Sequence, residues 1–491
     1  MKKIVLFVLV SMVILASIVS AKQISFNEAN IVAENWTVEL ESKFNDQVRI
    51  ADGKEIIREG RIVAYVFYFY PKGYVIVSAQ DYLPPIKMYS LENDFDTSGQ
   101  VLEHLIFDNF STIIDKVNKG ELDTKKDFSG KNKRNFAYLL REDLKYDTLD
   151  TLKGTTTEEV EPLLSTKWNQ GEPYNMYVPG DYTGCVATAF AQIFNYYEWP
   201  GRGTGTETYY DPYSKQTLTA NFDKEYKWWN MLDDYGYLND PEENKNAVAT
   251  LMYDVGVAVH MTYAENGSAA NSAKYLYNLV EHLKYSSDIK EAWRVHFPDP
   301  DVWFNVAKNQ LDNEWVCEYG ISGTYGHSVV IDGYRISDGA KTIHINFGWG
   351  GTYNGYFSMD NIYISEYLDF YYYTSQTMTT NIYPYPSYKR PVGKAPDSVN
   401  VYAYLNKGVF LSEYVVNITW SESPSEDKRL EGYIVYKQKD GSVEEIDRVS
   451  PDNKSYEIRL NTLDGYQFSV GVVDKNGAVS EIPPFVTPII Q

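Results

Sequence analysis

The chain has 491 residues, a formal net charge of −22, 44% hydrophobic residues and 15% aromatic residues, 44 of them tyrosine. Its length exceeds one ordinary domain and its apolar content excludes a disordered chain, while a mean hydropathy of −0.40 excludes a polytopic membrane protein. The acidic balance argues against nucleic acid or anionic membrane partners and favours a soluble life outside the cell.

Met1-Lys2-Lys3, the apolar run Ile4 to Val19 and the small residues Ser20-Ala21 have the order of a secretory signal peptide, with cleavage expected near Ala21. No second apolar run of about 18 residues follows, so no transmembrane anchor is expected. Secreted chains usually place cysteines in disulfides, yet this one has only Cys185 and Cys317.

Residues 22 to about 120 mix helical and strand patterns. Ser25-Phe26-Asn27-Glu28-Ala29 opens a capped helix, and Val63 to Phe69 followed by Pro71-Lys72-Gly73 and Tyr74 to Ser78 reads as a hairpin. The stretch Lys119 to Glu161 is rich in lysine, aspartate, threonine and glycine and reads as a protease-accessible linker. From Pro162 to about Tyr383, helices are expected near Cys185–Tyr197, Ala247–Val259 and Ala270–Leu283. Short strands follow at Val329–Tyr334, Thr342–Asn346 and Gly355–Met359. The class is α+β, an antiparallel sheet behind a helical half. Pro384 to Pro396 marks another boundary. Beyond it every element is a strand: Val416–Trp420, Gly432–Tyr436 and Gly465–Val470 resemble strands B, C and F of a fibronectin type III sandwich, with Asp474-Lys475-Asn476-Gly477 as the last turn. The expected organisation is a signal peptide over 1–21, a propeptide with linker over 22–150, a catalytic domain over 151–385 and a β-sandwich over 397–491.

Cys185 follows Thr183-Gly184 and precedes an alanine-rich helix, where the positive dipole end and unpaired amides favour a thiolate. Alone, such a cysteine also fits a small buried core residue. His327 stands in Gly326-His327-Ser328-Val329 at the mouth of an apolar strand, and histidine is scarce, with six in the chain. The separation of 327 − 185 = 142 residues lies in the span by which papain-like folds bring cysteine and histidine together across two lobes. In His344-Ile345-Asn346-Phe347-Gly348-Trp349-Gly350-Gly351, 346 − 327 = 19 residues further on, Asn346 could hold the second imidazole nitrogen. Phe347 or Trp349 could shield that bond, although the same residues could simply build an aromatic hairpin. Gln170, in Trp168-Asn169-Gln170-Gly171, offers an amide for an oxyanion beside the Cys185 backbone amide. Cys317 reads as a buried inert thiol in a strand; a disulfide to Cys185 would abolish the chemistry. No metal-ligand spacing or phosphate loop occurs, and no cofactor is expected.

These segments, with Leu251 to Val259 and Gly73 to Pro85, resemble the streptopain-like cysteine peptidases of bacteria, a papain-fold group secreted as zymogens. The resemblance covers about residues 25 to 380. It implies a papain-like domain of helical and sheet lobes, with an inhibitory propeptide ahead of it. It further implies Cys185 as nucleophile, His327 as general base and acid, and Gln170 as oxyanion group. Phe347 stands where the family commonly has tryptophan, so the residue of the 346–349 turn that steadies His327 stays open. Asn266-Gly267-Ser268-Ala269-Ala270 resembles a cleft-lining loop.

The expected reaction is endopeptidase cleavage through a thioester, on protein or peptide substrates, with the propeptide as internal inhibitor. A catalytically silent adhesion protein and an amidase or acyl transferase acting on cell-wall peptide are the alternatives. Casein and peptidoglycan assays separate them.

Overall fold

The structure is a computed structural model. It describes residues 21–490 apart from 96–106, 108, 125–129, 142–143, 145–156, 237–239, 265–266, 298, 322–325, 338–339, 360–375, 385–394, 408–411, 424–429, 475–479 and 481. The signal peptide before Ala21, Asn266, the Asp474–Gly477 turn beyond its first residue, most of the proline-rich 384–396 segment and the 145–156 part of the linker lie outside the described residues.

Helix α1 (Phe26–Phe44) opens on Ser25, whose hydroxyl accepts from the Glu28 amide while the Glu28 carboxylate accepts from the Ser25 amide, a reciprocal cap. It closes on Asn45 in the left-handed region, φ 60°. Ala29, Val32, Ala33, Trp36 and Leu40 fall at helical spacing and are buried against one face of a sheet. That sheet begins with β1 (Arg49–Arg58), β2 (Arg61–Tyr70), β3 (Tyr74–Ser78) and β4 (Ile86–Ser90), all antiparallel. Its other face takes α2 (Asn109–Asn118) through Phe110, Ile113 and Ile114. Along β2, Tyr65 and Phe67 face α1 while Val66 joins the opposite core. The segment is therefore apolar at every position instead of alternating.

The stretch expected as a linker contains a helix, α3 (Gly130–Leu139). Its sequence is polar on three sides, which hides it from a periodicity reading. Only Phe136 and Leu139 enter the core, and Asn35 on α1 and Asn132 on α3 supply tertiary hydrogen bonds to Leu139 and Tyr82 carbonyls at 2.8 Å each.

The second part begins with β5 (Thr157–Val160) and α4 (Cys185–Tyr197). The hairpin β6 (Thr206–Asp211) and β7 (Gln216–Asn221), α5 (Glu242–Ala258) and the hairpin β8 (Thr262–Ala264) and β9 (Gly267–Ala269) follow. The helix expected at 270–283 is split. A 3-10 turn, Ser272–Tyr275, precedes α6 (Leu276–Leu283), because the chain first closes the β8–β9 hairpin. After β10 (Lys290–Trp293) and α7 (Pro300–Leu311) come β11 (Cys317–Ile321), β12 (His327–Ser337), β13 (Ala340–Asn346), β14 (Gly355–Ser358) and β15 (Thr377–Thr380).

These strands extend the first sheet. Its order is β1-β2-β3-β4-β14-β13-β12-β11-β15-β10, with β5 on β12, eleven strands among the described residues. The seam is β4 on β14, where Tyr89 faces Tyr356 and Met88 faces Phe357 in register. Strand β12 is buried along its whole length because its two faces serve two cores. Val329 and Ile331 enter the core shared with β2 and α2, and Val330 enters the helical core of α4 and α5. A strand buried on both faces reads as a continuous apolar run, which is why it was visible in the sequence.

The C-terminal part holds β16 (Val399–Lys407), β17 (Ser412–Trp420), β18 (Leu430–Lys439), β19 (Ser442–Val449), β20 (Ser455–Leu460), β21 (Tyr466–Asp474) and β22 (Ile489–Ile490). They form two sheets, β20-β17-β16-β22 and β19-β18-β21, that share one core of Val401, Val416, Ile418, Trp420, Tyr433, Val435, Phe468 and Val470. Two sheets with one core make a sandwich.

Candidate active site

Helix α4 starts at Cys185 because Gly184 lets the chain turn sharply into it. Gly184 has φ +88°, and a Cβ there would lie 2.1 Å from Met261 Cε and 2.9 Å from Ser268 Cβ, so only glycine fits. The helix is alanine-rich and buried from Val186 to Asn195, which allows close packing on the sheet. Cys185 is partly exposed at its N-terminus, near the backbone amides of Ser328 and Val186. Burial raises the thiol pKa above its ordinary value; the amides oppose this, and the Glu318 carboxyl adds to it.

Helix α4 packs on β12 through the core that Val186 and Ala189 share with Val330, and His327 opens that strand. The histidine is buried, and its Nε2 lies 2.9 Å from the Phe347 carbonyl. A carbonyl only accepts, so Nε2 carries the proton and Nδ1 holds the lone pair. Burial lowers the His327 pKa to about 4, with the Phe347 bond acting in the opposite direction. Trp349 stacks on the imidazole with ring centroids 4.2 Å apart, and Phe347 stacks on Trp349 at 5.2 Å.

The contact sketched for Asn346 is made by the backbone of its neighbour. The Asn346 side chain points into the molecule instead. Its Oδ1 accepts from Gln192 Nε2 at 3.2 Å and from the Gly348 amide at 3.0 Å, and its Nδ2 donates to the Thr166 carbonyl at 2.8 Å. Asn346 thus ties α4 to the turn that carries Phe347 and Trp349. Gln170 is partly exposed, and its backbone carbonyl accepts from the Thr183 amide at 2.9 Å, while the Trp168 carbonyl accepts from the Gly350 amide at 3.0 Å. The Trp168–Gln170 segment therefore spans the site between the cysteine approach and the histidine-bearing turn. Cys317 is a buried free thiol and Cys185 is also free, so the disulfide that would have abolished the chemistry is absent.

The N-terminal part reaches this turn. Ser90 Oγ donates to the Asn354 carbonyl at 2.6 Å and Asn93 Nδ2 to the Gly351 carbonyl at 2.7 Å. The Asn354 side chain in turn accepts from the Phe347 amide at 3.0 Å. Two buried cations complete the seam. His344 Nδ1 meets Asp332 at 2.6 Å and Nε2 meets Glu92 at 3.2 Å. Arg335 donates to Asp46 at 2.6 Å, Glu159 at 3.1 Å and Glu161 at 2.9 Å. Burial disfavours the imidazolium, but Asp332 and Glu92 outweigh it and push the His344 pKa up to about 9. These seam residues were not singled out in the sequence, since the partners of Arg335 lie 174 to 289 positions away and Glu92 lies 252 positions from His344, so no local spacing announces the seam. Among the described residues, no group of three or more histidine, cysteine, aspartate or glutamate side chains could hold a metal ion.

Comparison with known proteins follows the same division of the chain. The Spi protease inhibitor family matches residues 21–109 and the Peptidase C10 family matches residues 168–357. Streptopain of Streptococcus pyogenes is 30% identical over 324 residues, covering 60% of this chain and 73% of its own. The thiol protease/hemagglutinin PrtT of Porphyromonas gingivalis is 35% identical over 201 residues, 39% of this chain and 23% of its own. Among solved structures, a fragment of Prevotella intermedia prointerpain A aligns with a TM-score of 0.53 at 27% identity, covering 68% of this chain and 99% of that one. With a Spi-type inhibitor segment ahead of a papain-like domain and this degree of identity to streptopain, the chain belongs to the Peptidase C10 family of cysteine peptidases.

Proposed function

We propose that the protein is a secreted endopeptidase, made as a zymogen, in which Cys185 and His327 form the catalytic dyad. The observation that carries this reading is the free, partly exposed Cys185 thiol at the start of α4, packed against the core that includes Val330 of β12, the strand that opens on His327, whose imidazole is held by the Phe347 carbonyl and stacked on Trp349. With the proton on Nε2 held by Phe347, Nδ1 takes the thiol proton, and the thiolate attacks the substrate carbonyl. Gln170 and the Cys185 backbone amide stabilise the oxyanion. Nδ1–H protonates the leaving amine as the thioester forms, and Nδ1 then deprotonates the water that releases the acid. Trp349 keeps water from the Nε2–H bond to Phe347.

The organisation proposed is signal peptide 1–21 cleaved near Ala21, inhibitory propeptide and linker 22–150, peptidase 151–385, and a fibronectin type III-like sandwich 397–491. Two supports for the sandwich type are its paired sheets with one core and the Trp420 ring 5.4 Å from Tyr433. Substrates are proteins or peptides, the propeptide is the internal partner, and no cofactor takes part.

The test is Cys185→Ala in the full chain. Only a sulfur is lost at the helix start, so a folded precursor that neither shortens itself nor cleaves casein is expected. Appearance of mature-sized product from that variant in the absence of other proteases would refute self-processing by Cys185.

A further inference from the structure

Strand β6 grips the chain at the start of the β8–β9 hairpin with one of its faces. Glu207, Tyr209 and Asp211 alternate along β6 and so share that face. Glu207 Oε1 lies 2.7 Å from His260 Nε2, the Tyr209 hydroxyl donates to the Met261 carbonyl, and Asp211 Oδ2 accepts from the Tyr263 amide at 3.1 Å. Asp211 is fully buried. Its other bonds close the β6–β7 turn: Oδ1 accepts from the Tyr213 amide at 3.1 Å, and Oδ2 from the Ser214 amide at 3.2 Å and the Ser214 hydroxyl at 2.6 Å. Burial opposes the charge, but these donors outweigh it and hold the carboxyl below its ordinary value, so both oxygens act as acceptors. The gripped run in turn covers the residues ahead of Cys185. Tyr263 Cβ lies 3.5 Å from where a Cβ on Gly180 would stand, and Met261 Cε and Ser268 Cβ close over Gly184. Ser268, on β9, donates its hydroxyl to the Tyr182 carbonyl at 2.9 Å. The Thr183 amide donates to the Gln170 carbonyl at 2.9 Å. Residues 180–184 are thus tied both to the β8–β9 hairpin and to the Gln170 segment.

We propose that Asp211, with Tyr209 beside it, is a positioning residue for the oxyanion site: from β6 it fixes the Met261–Tyr263 run on residues 180–184, and so sets the Cys185 amide against Gln170. The inference rests on the endopeptidase reading, in which those two groups receive the oxyanion. An oxyanion donor acts only from about 3 Å, and a misplacement of about 1 Å forfeits much of its effect. Three of the four Asp211 bonds are local and would serve the turn alone. The fourth spans 52 residues and has no part in that turn. The Tyr209 bond to Met261 has the same span. Two bonds that leave β6 two residues apart therefore land two residues apart on the gripped run, which fixes its direction as well as its place.

The experiment compares the wild type with Asp211→Ala, Asp211→Asn and Tyr209→Phe, each matured with the same added protease. The readouts are kcat and KM on a short peptide and the rate of iodoacetamide alkylation at Cys185, a displacement that forms no oxyanion. Asp211→Ala is expected to lower kcat about tenfold, with KM and the alkylation rate within about twofold of wild type. Asp211→Asn, which keeps one acceptor, and Tyr209→Phe, which keeps the ring, should each lower kcat about threefold. A role confined to stability moves the urea midpoint and leaves the kcat of the folded enzyme unchanged. That result overturns the proposal, and so does an alkylation rate that falls in step with kcat. Should Asp211→Ala fail to fold, Asp211→Asn and Tyr209→Phe decide by the same split. Hydrogen exchange on the full-length precursors needs no turnover: the amides of 180–184 should exchange about threefold faster or more in each variant, while those of 186–195 keep their rate. Unchanged exchange at 180–184, or an equal rise at 186–195, overturns the positioning. The expected exchange in chains that hydrolyse no peptide refutes the endopeptidase reading and not the positioning.

Discussion

At the scale of the residue, the imidazole is steadied by a backbone carbonyl, and this changes what Asn346 does. A carbonyl cannot be mutated away, and it fixes the tautomer whichever side chain occupies position 347. The substitution Phe347 for the family's usual tryptophan is therefore compatible with the contact. Asn346 uses three hydrogen bonds to join Gln192, Thr166 and Gly348, all buried. Removing its amide leaves those groups without partners, which costs about 1–3 kcal/mol each where water cannot replace it. Asn346→Ala is thus expected to lower the urea midpoint clearly while the pH profile of Cys185 alkylation keeps its shape. A shifted profile at unchanged stability would assign Asn346 to the imidazole after all.

At the scale of the element, the β4–β14 seam depends on a glycine. A Cβ at Gly355 would lie 2.5 Å from the Tyr89 carbonyl and 2.9 Å from Ser90 Cβ, both on the propeptide side. Gly355→Ala is expected to push β4 away and speed self-processing of the precursor several-fold, while the mature enzyme keeps its kcat/KM, since the clash leaves with the propeptide. Equal processing rates in the two precursors would show that the seam is not limiting. Nothing in the sequence announced this seam. The strands on both sides were legible because Val75, Ile76 and Val77, like Val329, Val330 and Ile331, are buried on two faces and read as apolar runs. Cys185 and His327 were legible because one of only two cysteines opens an alanine-rich helix and because histidine is rare. What stayed hidden shares a cause: α3 and Arg335 take their meaning from partners distant in the chain, and so does the contact of His344 with Glu92, 252 positions away.

At the scale of the whole molecule, propeptide and peptidase form one sheet, and their mutual grip contains titratable groups with opposite pH limits. His344 sits between Asp332 of the peptidase and Glu92 of the propeptide. Its pKa is raised to about 9 in the docked form, and Asp332 stays beside it after release, so the share that docking adds is the Glu92 contact, which is lost as pH rises through about 9. Burial works against the Glu92 charge, but the hydrogen bond and charge of His344 outweigh it and hold the carboxyl below its ordinary value. Its contribution is therefore present above the ordinary glutamate range and fades as pH falls below it. Arg335, bonded to Asp46, keeps its charge throughout and adds no pH dependence of its own. Propeptide docking should be strongest between mildly acidic and neutral pH and weaken on the alkaline side. The measurement uses the full-length Cys185→Ala chain, cut between residues 145 and 156 by an added protease, and follows co-elution of the two fragments between pH 6 and 10. Dissociation should increase about tenfold across the upper part of that range, as the imidazolium of His344 gives up its proton. Glu92→Gln removes the carboxylate that the imidazolium serves, so its complex should be weaker at neutral pH and lose most of the pH dependence. If Glu92→Gln dissociates with the wild-type pH profile, His344 is not the group that senses alkaline pH, and the seam is held by packing and by Arg335 alone.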